Sequence, residues 1–267
     1  MDTILDLRER RAALLANRRL TWLFGADDPG VVVRERWAGE IRLRILVPRG
    51  PAPASGRPIL LALHGGGWCW GTPEQSRWMT GRIAARVGAV VVAPAYRLAP
   101  EHPHPAAVED CWAVLQWVLA NAQGLGADPA RVAVLGDSAG GTLAAVLALR
   151  ARDEGGPRIR GQVLVYPLVD LVGLKGPGVG GIVESYLGGD ESLAETWQVS
   201  PLRASGHPPR PPLTHRQPCR LILTTNPVES ARHDEPTRHR ARRRARRRGR
   251  PPLGPGHLAR PERCPGA

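Results

Sequence analysis

Apolar residues follow one another along this chain in two rhythms, and the changes of rhythm mark its elements. Residues 3–20 set Leu and Ile among Arg and Glu at helical spacing, which predicts an amphipathic N-terminal helix. Val31–Val33 and Ile41–Val47 predict strands, the second alternating as Ile-Arg-Leu-Arg-Ile-Leu-Val. After the turn-rich break Pro51–Pro58, the run Ile59–Leu63 predicts a buried strand leading directly into His64-Gly-Gly-Gly-Trp68. Ala89–Ala93 is a second continuous apolar run of the kind found in parallel sheets. Ala106–Ala122 puts Val108, Cys111, Trp112, Leu115, Val118 and Leu119 on one helical face. Arg131–Gly136 predicts a strand, Ala139–Ala151 a helix rich in small residues, and Gly161–Tyr166 the last strand of the series. The Gly-rich stretch Val172–Gly181 reads as a mobile loop. Strands separated by helices imply right-handed βαβ units, hence an α/β fold with a mostly parallel central sheet flanked by helices.

Composition divides the chain near residue 202. Of 37 basic and 24 acidic residues, residues 203–267 hold 16 arginines and four acids, leaving 21 and 20 before them. The formal charge of +13 therefore belongs to one end, and residues 1–202 are close to neutral. A basic surface for nucleic acid is not a property of the main body, and no nucleic-acid partner is expected. All eight Trp, all three Tyr and the single Phe lie at or before Trp197, so a core is predicted for 1–202. The Arg/Pro-rich tail 203–267 has too little apolar surface to offset its chain entropy and is expected to be disordered. Cys69, Cys111, Cys219 and Cys264 show neither metal spacing nor a dense disulfide pattern. No apolar run approaches a membrane span, and a cytoplasmic setting is the default expectation.

Two short motifs carry chemistry. Gly136-Asp-Ser-Ala-Gly140 fits G-x-S-x-G between a predicted strand and a predicted helix. Small flanking residues let a strained strand-to-helix turn lift the Ser138 hydroxyl clear of the sheet. The same turn aims the helix N-terminus and the Ala139 N–H at the charge of a tetrahedral intermediate. His64-Gly-Gly-Gly67 is the second motif: three glycines after a strand leave backbone N–H groups unobstructed, as the other half of an oxyanion hole requires. The His64 side chain reads as a structural hydrogen-bonding group rather than the catalytic base.

These motifs, with Gly141, Tyr96-Arg-Leu-Ala-Pro-Glu101, Tyr166-Pro-Leu-Val-Asp170, Tyr186-Leu and Ser200-Pro-Leu202, make the chain resemble the hormone-sensitive-lipase-like branch of α/β-hydrolases, which includes acetyl esterases and short-chain carboxylesterases. The resemblance covers roughly residues 30–202. It implies a hydrolase domain over 1–202, whose first 36 residues or so, with the segment after Asp170, build a small cap. It also implies short-acyl ester substrates, an acyl-serine at Ser138, and neither metal nor cofactor. By the same resemblance Gly66, Gly67 and Ala139 are the donors of the oxyanion hole, with Gly65 as its supporting turn residue. Trp68 and Trp70 either wall the substrate pocket or belong to the core. Asp137, Tyr96, Arg97, Glu101, Glu109 and Asp170 hold loop geometry.

The family's triad acid and its His-Gly-Phe are missing from their usual places, and a serine without a base is a weak nucleophile. Three readings of the tail stay open. In one, a shifted reading frame has replaced the true C-terminus, the final strands of the sheet are lost, and the Gln162–Tyr166 strand is left as an exposed edge. In the second, the tail is a genuine basic segment for interaction. In the third, Arg220–Thr224 is a strand, Asp234 the acid and His257 the base, in the chain order Ser–Asp–His. A non-catalytic small-molecule-binding homologue is the alternative to an enzyme. Oligomeric state has no signature in the sequence.

Overall fold

The computed structural model describes residues 26–204 and the strand 221–224. Among them seven strands form one sheet: β1 Val31–Ala38, β2 Ile41–Pro48, β3 Arg57–Leu63, β4 Val90–Pro94, β5 Ala127–Asp137, β6 Ile159–Val165 and β7 Leu221–Thr224, in the order β1-β2-β4-β3-β5-β6-β7. β1 and β2 pair antiparallel, and β2 meets β4 antiparallel. From β4 across to β7 every pairing is parallel. The helices are α1 Arg77–Val87, α2 Ala106–Ala120, α3 Ala139–Asp153 and α4 Val179–Leu187.

Side-chain alternation along β3 explains the layering. Ile59, Leu61 and Leu63 face a core shared with α2, α3 and α4, while Leu60 and Ala62 face a second cluster with Ala84, Met79 and Ile83 of α1. Both faces of the sheet are therefore covered, which is why its central strands read as unbroken apolar runs. α3 lies close against the sheet because its first nine residues, Ala139–Leu147, are all buried and mostly small. Each fully buried Leu or Ile in these layers contributes about 1.5–3 kcal/mol relative to exposure.

Two expectations are corrected. Leu221–Thr224 pairs in parallel with β6, Gln162 opposite Leu221 and Val165 opposite Thr224, so β6 is not left as the edge of the sheet. The segment expected to be a mobile loop over Val172–Gly181 becomes helical at Val179, because Val183, Tyr186 and Leu187 form a buried face that ends the loop. Among the described residues, no helix is long and apolar enough to cross a membrane. The predicted N-terminal helix and the remainder of the tail lie outside the described residues.

Candidate active site

β3 and β5 lie side by side in parallel with Leu63 opposite Gly136, so both motifs leave the same edge of the sheet. At the end of β5 the chain turns within one residue: Ser138 has φ 50° and ψ −123°, and α3 begins at Ala139. This is backbone strain at a non-glycine residue, held by its surroundings. The Ser138 N–H donates to the Val165 carbonyl (2.8 Å), and the Thr142 hydroxyl donates to the Leu168 carbonyl (2.7 Å), tying the turn to β6 and the loop after it. A Cβ at Gly140 would stand 2.1 Å from the Leu63 carbonyl oxygen and 2.5 Å from that of His64. Only glycine lets helix and strand approach so closely.

The loop after β3 is pinned to this turn by one carboxylate. Asp137 Oδ1 accepts the Gly65 N–H (3.0 Å), and its Oδ2 accepts the Tyr166 hydroxyl (3.3 Å). Burial first, then the neighbouring Asp137 charge, holds the Tyr166 phenol above its ordinary pKa, so it stays a donor. The Gly65 N–H is thereby committed to Asp137, in keeping with a supporting turn residue rather than a donor. Its carbonyl accepts from the Gln75 amide (3.0 Å), and the His64 carbonyl accepts from the Tyr96 hydroxyl (2.6 Å). Burial pushes Tyr96 well above its ordinary pKa and keeps that O–H protonated, with its ring stacked on His64 at 4.2 Å.

Beyond this anchor the backbone runs left-handed through Gly66 (φ 129°), Gly67 (φ 58°) and Trp68 (φ 59°). The Gly66 carbonyl accepts from the Cys69 and Trp70 N–H groups, at 3.1 and 3.0 Å. Among the described residues, none of the backbone hydrogen bonds has the Gly66 or Gly67 N–H as donor. The Ala139 N–H, first in α3, has no intrahelical acceptor either. The Gly66, Gly67 and Ala139 N–H groups, at the ends of the adjacent strands β3 and β5, are thus left without a backbone acceptor among the described residues.

A family model described as alpha/beta hydrolase fold matches residues 60–224, more than half of the chain, from within β3 to the end of β7. The chain belongs to the α/β-hydrolase fold family. Esterase LipI of Mycobacterium tuberculosis is 48% identical over 130 residues, 49% of this chain and 41% of that protein. Carboxylesterase NlhH of the same organism is 44% identical over 144 residues, covering 52% and 44% respectively. The chain thus spans less than half the length of these relatives. The solved structure of the thermostable carboxylesterase EstE1, cloned from a metagenomic library, superposes with a TM-score of 0.66 at 32% identity, over 76% of this chain and 73% of that one.

Around the hydrolase motifs, loop-holding residues find concrete partners. Arg97 grips the buried Asp110 through its backbone N–H and guanidinium. Glu109, expected to hold a loop, instead ties α2 to α3 through Arg150 (2.9 Å), while Asp170 pairs with Arg203 (2.9 Å), whose hydrogen bond holds the Asp170 carboxyl below its ordinary pKa. Trp68 is a core residue rather than a pocket wall: it is fully buried, its ring stacked on Tyr186 of α4 at 4.2 Å. Trp70 is half-buried, with its carbonyl packed beneath Gly66. Asp234 and His257 lie outside the described residues.

Sequence reasoning missed Ile182. A Cβ at Gly67 would stand 2.5 Å from Ile182 Cγ2, so that side chain sits directly against the loop carrying the Gly66 and Gly67 donors. Its signal was present in the spacing of Ile182 and Tyr186, four apart and hence on one helical face. The opposite face of α4 borders a half-open cavity of about 550 Å³ lined by Leu171, Leu174, Val183, Glu184, Leu187 and Glu191. None of the Ser138-turn residues and none of residues 64–68 lines it.

Proposed function

We propose that this chain performs the acyl-transfer chemistry of a carboxylic ester hydrolase acting on short-acyl esters. The observation that carries the reading is the Asp137 carboxylate joining the Ser138 turn to the Gly66–Gly67 loop at the ends of adjacent parallel strands. Ligands of open α/β sheets bind outside such carboxyl ends. The Ser138 hydroxyl attacks the ester carbonyl carbon, and the oxygen that becomes negative is received by the Gly66, Gly67 and Ala139 N–H groups. Collapse of that intermediate expels the alcohol and leaves an acyl-serine, which water then cleaves. Each such donor supports the transition state by about 2.7–4 kcal/mol.

For the proton of Ser138 the reading uses His257 as base and Asp234 to orient it. Support comes from β7, which runs parallel to β6 and so ends at the same sheet edge as Ser138, ten residues before Asp234. A second reading, in which the tail supplies no base, is favoured by the arginine-dense composition around both residues. Hydrolysis of p-nitrophenyl acetate by the full chain separates the two. The proposed triad gives turnover that Ser138→Ala abolishes and that Asp234→Asn and His257→Ala each reduce by a factor on the order of 10⁴. Feeble release, unchanged by Ser138→Ala, establishes the second reading instead.

A further inference from the structure

We propose that Ile182 is the specificity-determining residue of this site, and that its Cγ2 methyl excludes esters whose acyl group is branched at the carbon next to the carbonyl. The inference rests on the ester-hydrolase reading of Ser138. The Ile182 Cγ2 occupies the place that a side chain at Gly67 would take, 2.5 Å from the ideal Cβ position. A Cβ stands about 2.5 Å from its own amide nitrogen, so the methyl lies within about 5 Å of the Gly67 nitrogen. An oxyanion accepting from that N–H sits about 2.7–3.1 Å away. Groups bonded to the same carbonyl carbon are thus within reach of the methyl. A single hydrogen-bearing CH₂ or CH₃ fits beside it, and a second branch does not.

Position matters only if the helix is held there, and α4 is held at three points. Tyr186, one turn beyond Ile182 on the same face, stacks on the buried Trp68 at 4.2 Å. The Tyr186 carbonyl accepts the His104 N–H (2.7 Å), and Cys69 Sγ lies 3.8 Å from the Ile182 carbonyl. The wall is consequently built on the same loop whose donors it flanks, and the two keep their spacing together. The contact is specific to one branch of the side chain, since Cδ1 is farther away, at 3.7 Å. Leucine has the same volume but no branch at Cβ, whereas valine keeps the branch and loses only the distal carbon.

The test uses p-nitrophenyl phosphonates carrying methyl or isopropyl on phosphorus, with the full-length chain and mass spectrometry of the labelled protein. Ser138 Oγ forms a bond to phosphorus as the bond to p-nitrophenolate breaks, the phenolate leaving with its electron pair and the hydroxyl proton passing to solvent. Wild-type chain should label with the methyl probe at least about tenfold faster than with the isopropyl probe, which carries two further carbons where even one costs about tenfold or more in a tight pocket. Ile182→Leu should bring the two rates within about threefold, and Ile182→Val should keep the wild-type ratio. Ile182→Ala replaces the leucine variant should that one fail to fold, with the same expected loss of discrimination. An unchanged ratio in Ile182→Leu or Ile182→Ala, with methyl labelling intact, overturns the assignment of Ile182 alone. Absence of labelling by either probe in every variant overturns the reading of Ser138, and this proposal with it.

Discussion

A side chain added at Gly136 or Gly140 would meet backbone atoms at 2.1 Å, whereas one added at Gly173, Gly176, Gly178 or Gly181 would meet nothing within 4 Å. The first pair belongs to the Ser138 turn and the second group to the approach and first turn of α4. At the turn, glycine is required because two backbones touch. Around α4 it is required, where it is required, by left-handed backbone at Gly173, Gly176 and Gly178. The site is thus assembled from one wall defined by close packing and one defined by chain conformation. The first has no room for an added atom, whereas around α4 there is room at Gly173, Gly176, Gly178 and Gly181 but not at Gly180.

Gly140→Ala is the strongest way to break this contrast, because its new carbon collides with two carbonyl oxygens of β3 and the loop after it. We expect a loss of at least about 3 kcal/mol, or no folded protein, by urea unfolding. Asp137→Ala comes next. It leaves the Gly65 N–H and Tyr166 hydroxyl without their acceptor, which costs about 1–3 kcal/mol, and it should slow phosphonate labelling of Ser138 more than it lowers stability.

The adjacent pair Gly180 and Gly181 sharpens the comparison within one helical turn. A Cβ at Gly180 stands 2.3 Å from the Lys175 backbone carbon, so Gly180→Ala should destabilise by about 1–3 kcal/mol. Gly181 is helical with open space around it, and Gly181→Ala should stabilise by about 0.5–1 kcal/mol. Equal effects at the two positions would falsify the division drawn here.

The smallest effect is expected with pH. Burial lowers the pKa of His104 below its ordinary 6.5, only partly opposed by Glu109. The unfolded chain then binds the proton more readily than the folded one. This contribution to stability is fully present above 6.5 and is lost as pH falls through the depressed folded value. His104 also holds Tyr186 of α4, through its N–H and through a ring nitrogen 3.3 Å from the phenol oxygen. Thermal unfolding measured between pH 7 and 5 should show a decline that His104→Asn flattens.

How much of this was legible in the sequence depended on whether an element decides its own structure. β3, β4 and α3 did, because their apolar runs and small residues are buried on both sides, and the motifs at their ends placed Ser138, Gly66, Gly67 and Ala139. α4 did not: its first residues are glycines, and its helix is decided by Tyr186 meeting Trp68 across the chain. β7 was legible only in part: one of the three readings of the tail made Arg220–Thr224 a strand, and its pairing with β6 decides for it. The resemblance set Gly65 apart from Gly66 and Gly67, but the acceptor of its N–H, Asp137, could not be read from the motif. α1 escaped notice because it buries only Thr80, Gly81 and Ala84, a face too small and polar to register as a periodic stripe.

The order of β5, β6 and β7 in the sheet is also their order in the chain, so this side of the molecule is built outward as it is synthesised. Fifty-five residues separate Val165, the end of β6, from Leu221, the start of β7. At about 5–20 residues per second, the ribosome needs about 3–11 s to make them. Through that interval β6 presents its outer row of N–H and C=O groups to whatever strand arrives first, including the same strand on a neighbouring nascent chain. Yield of correctly assembled protein should therefore depend on timing as well as on stability. Co-expressed chaperones or a lowered expression rate would protect the newborn edge until its own partner has been made.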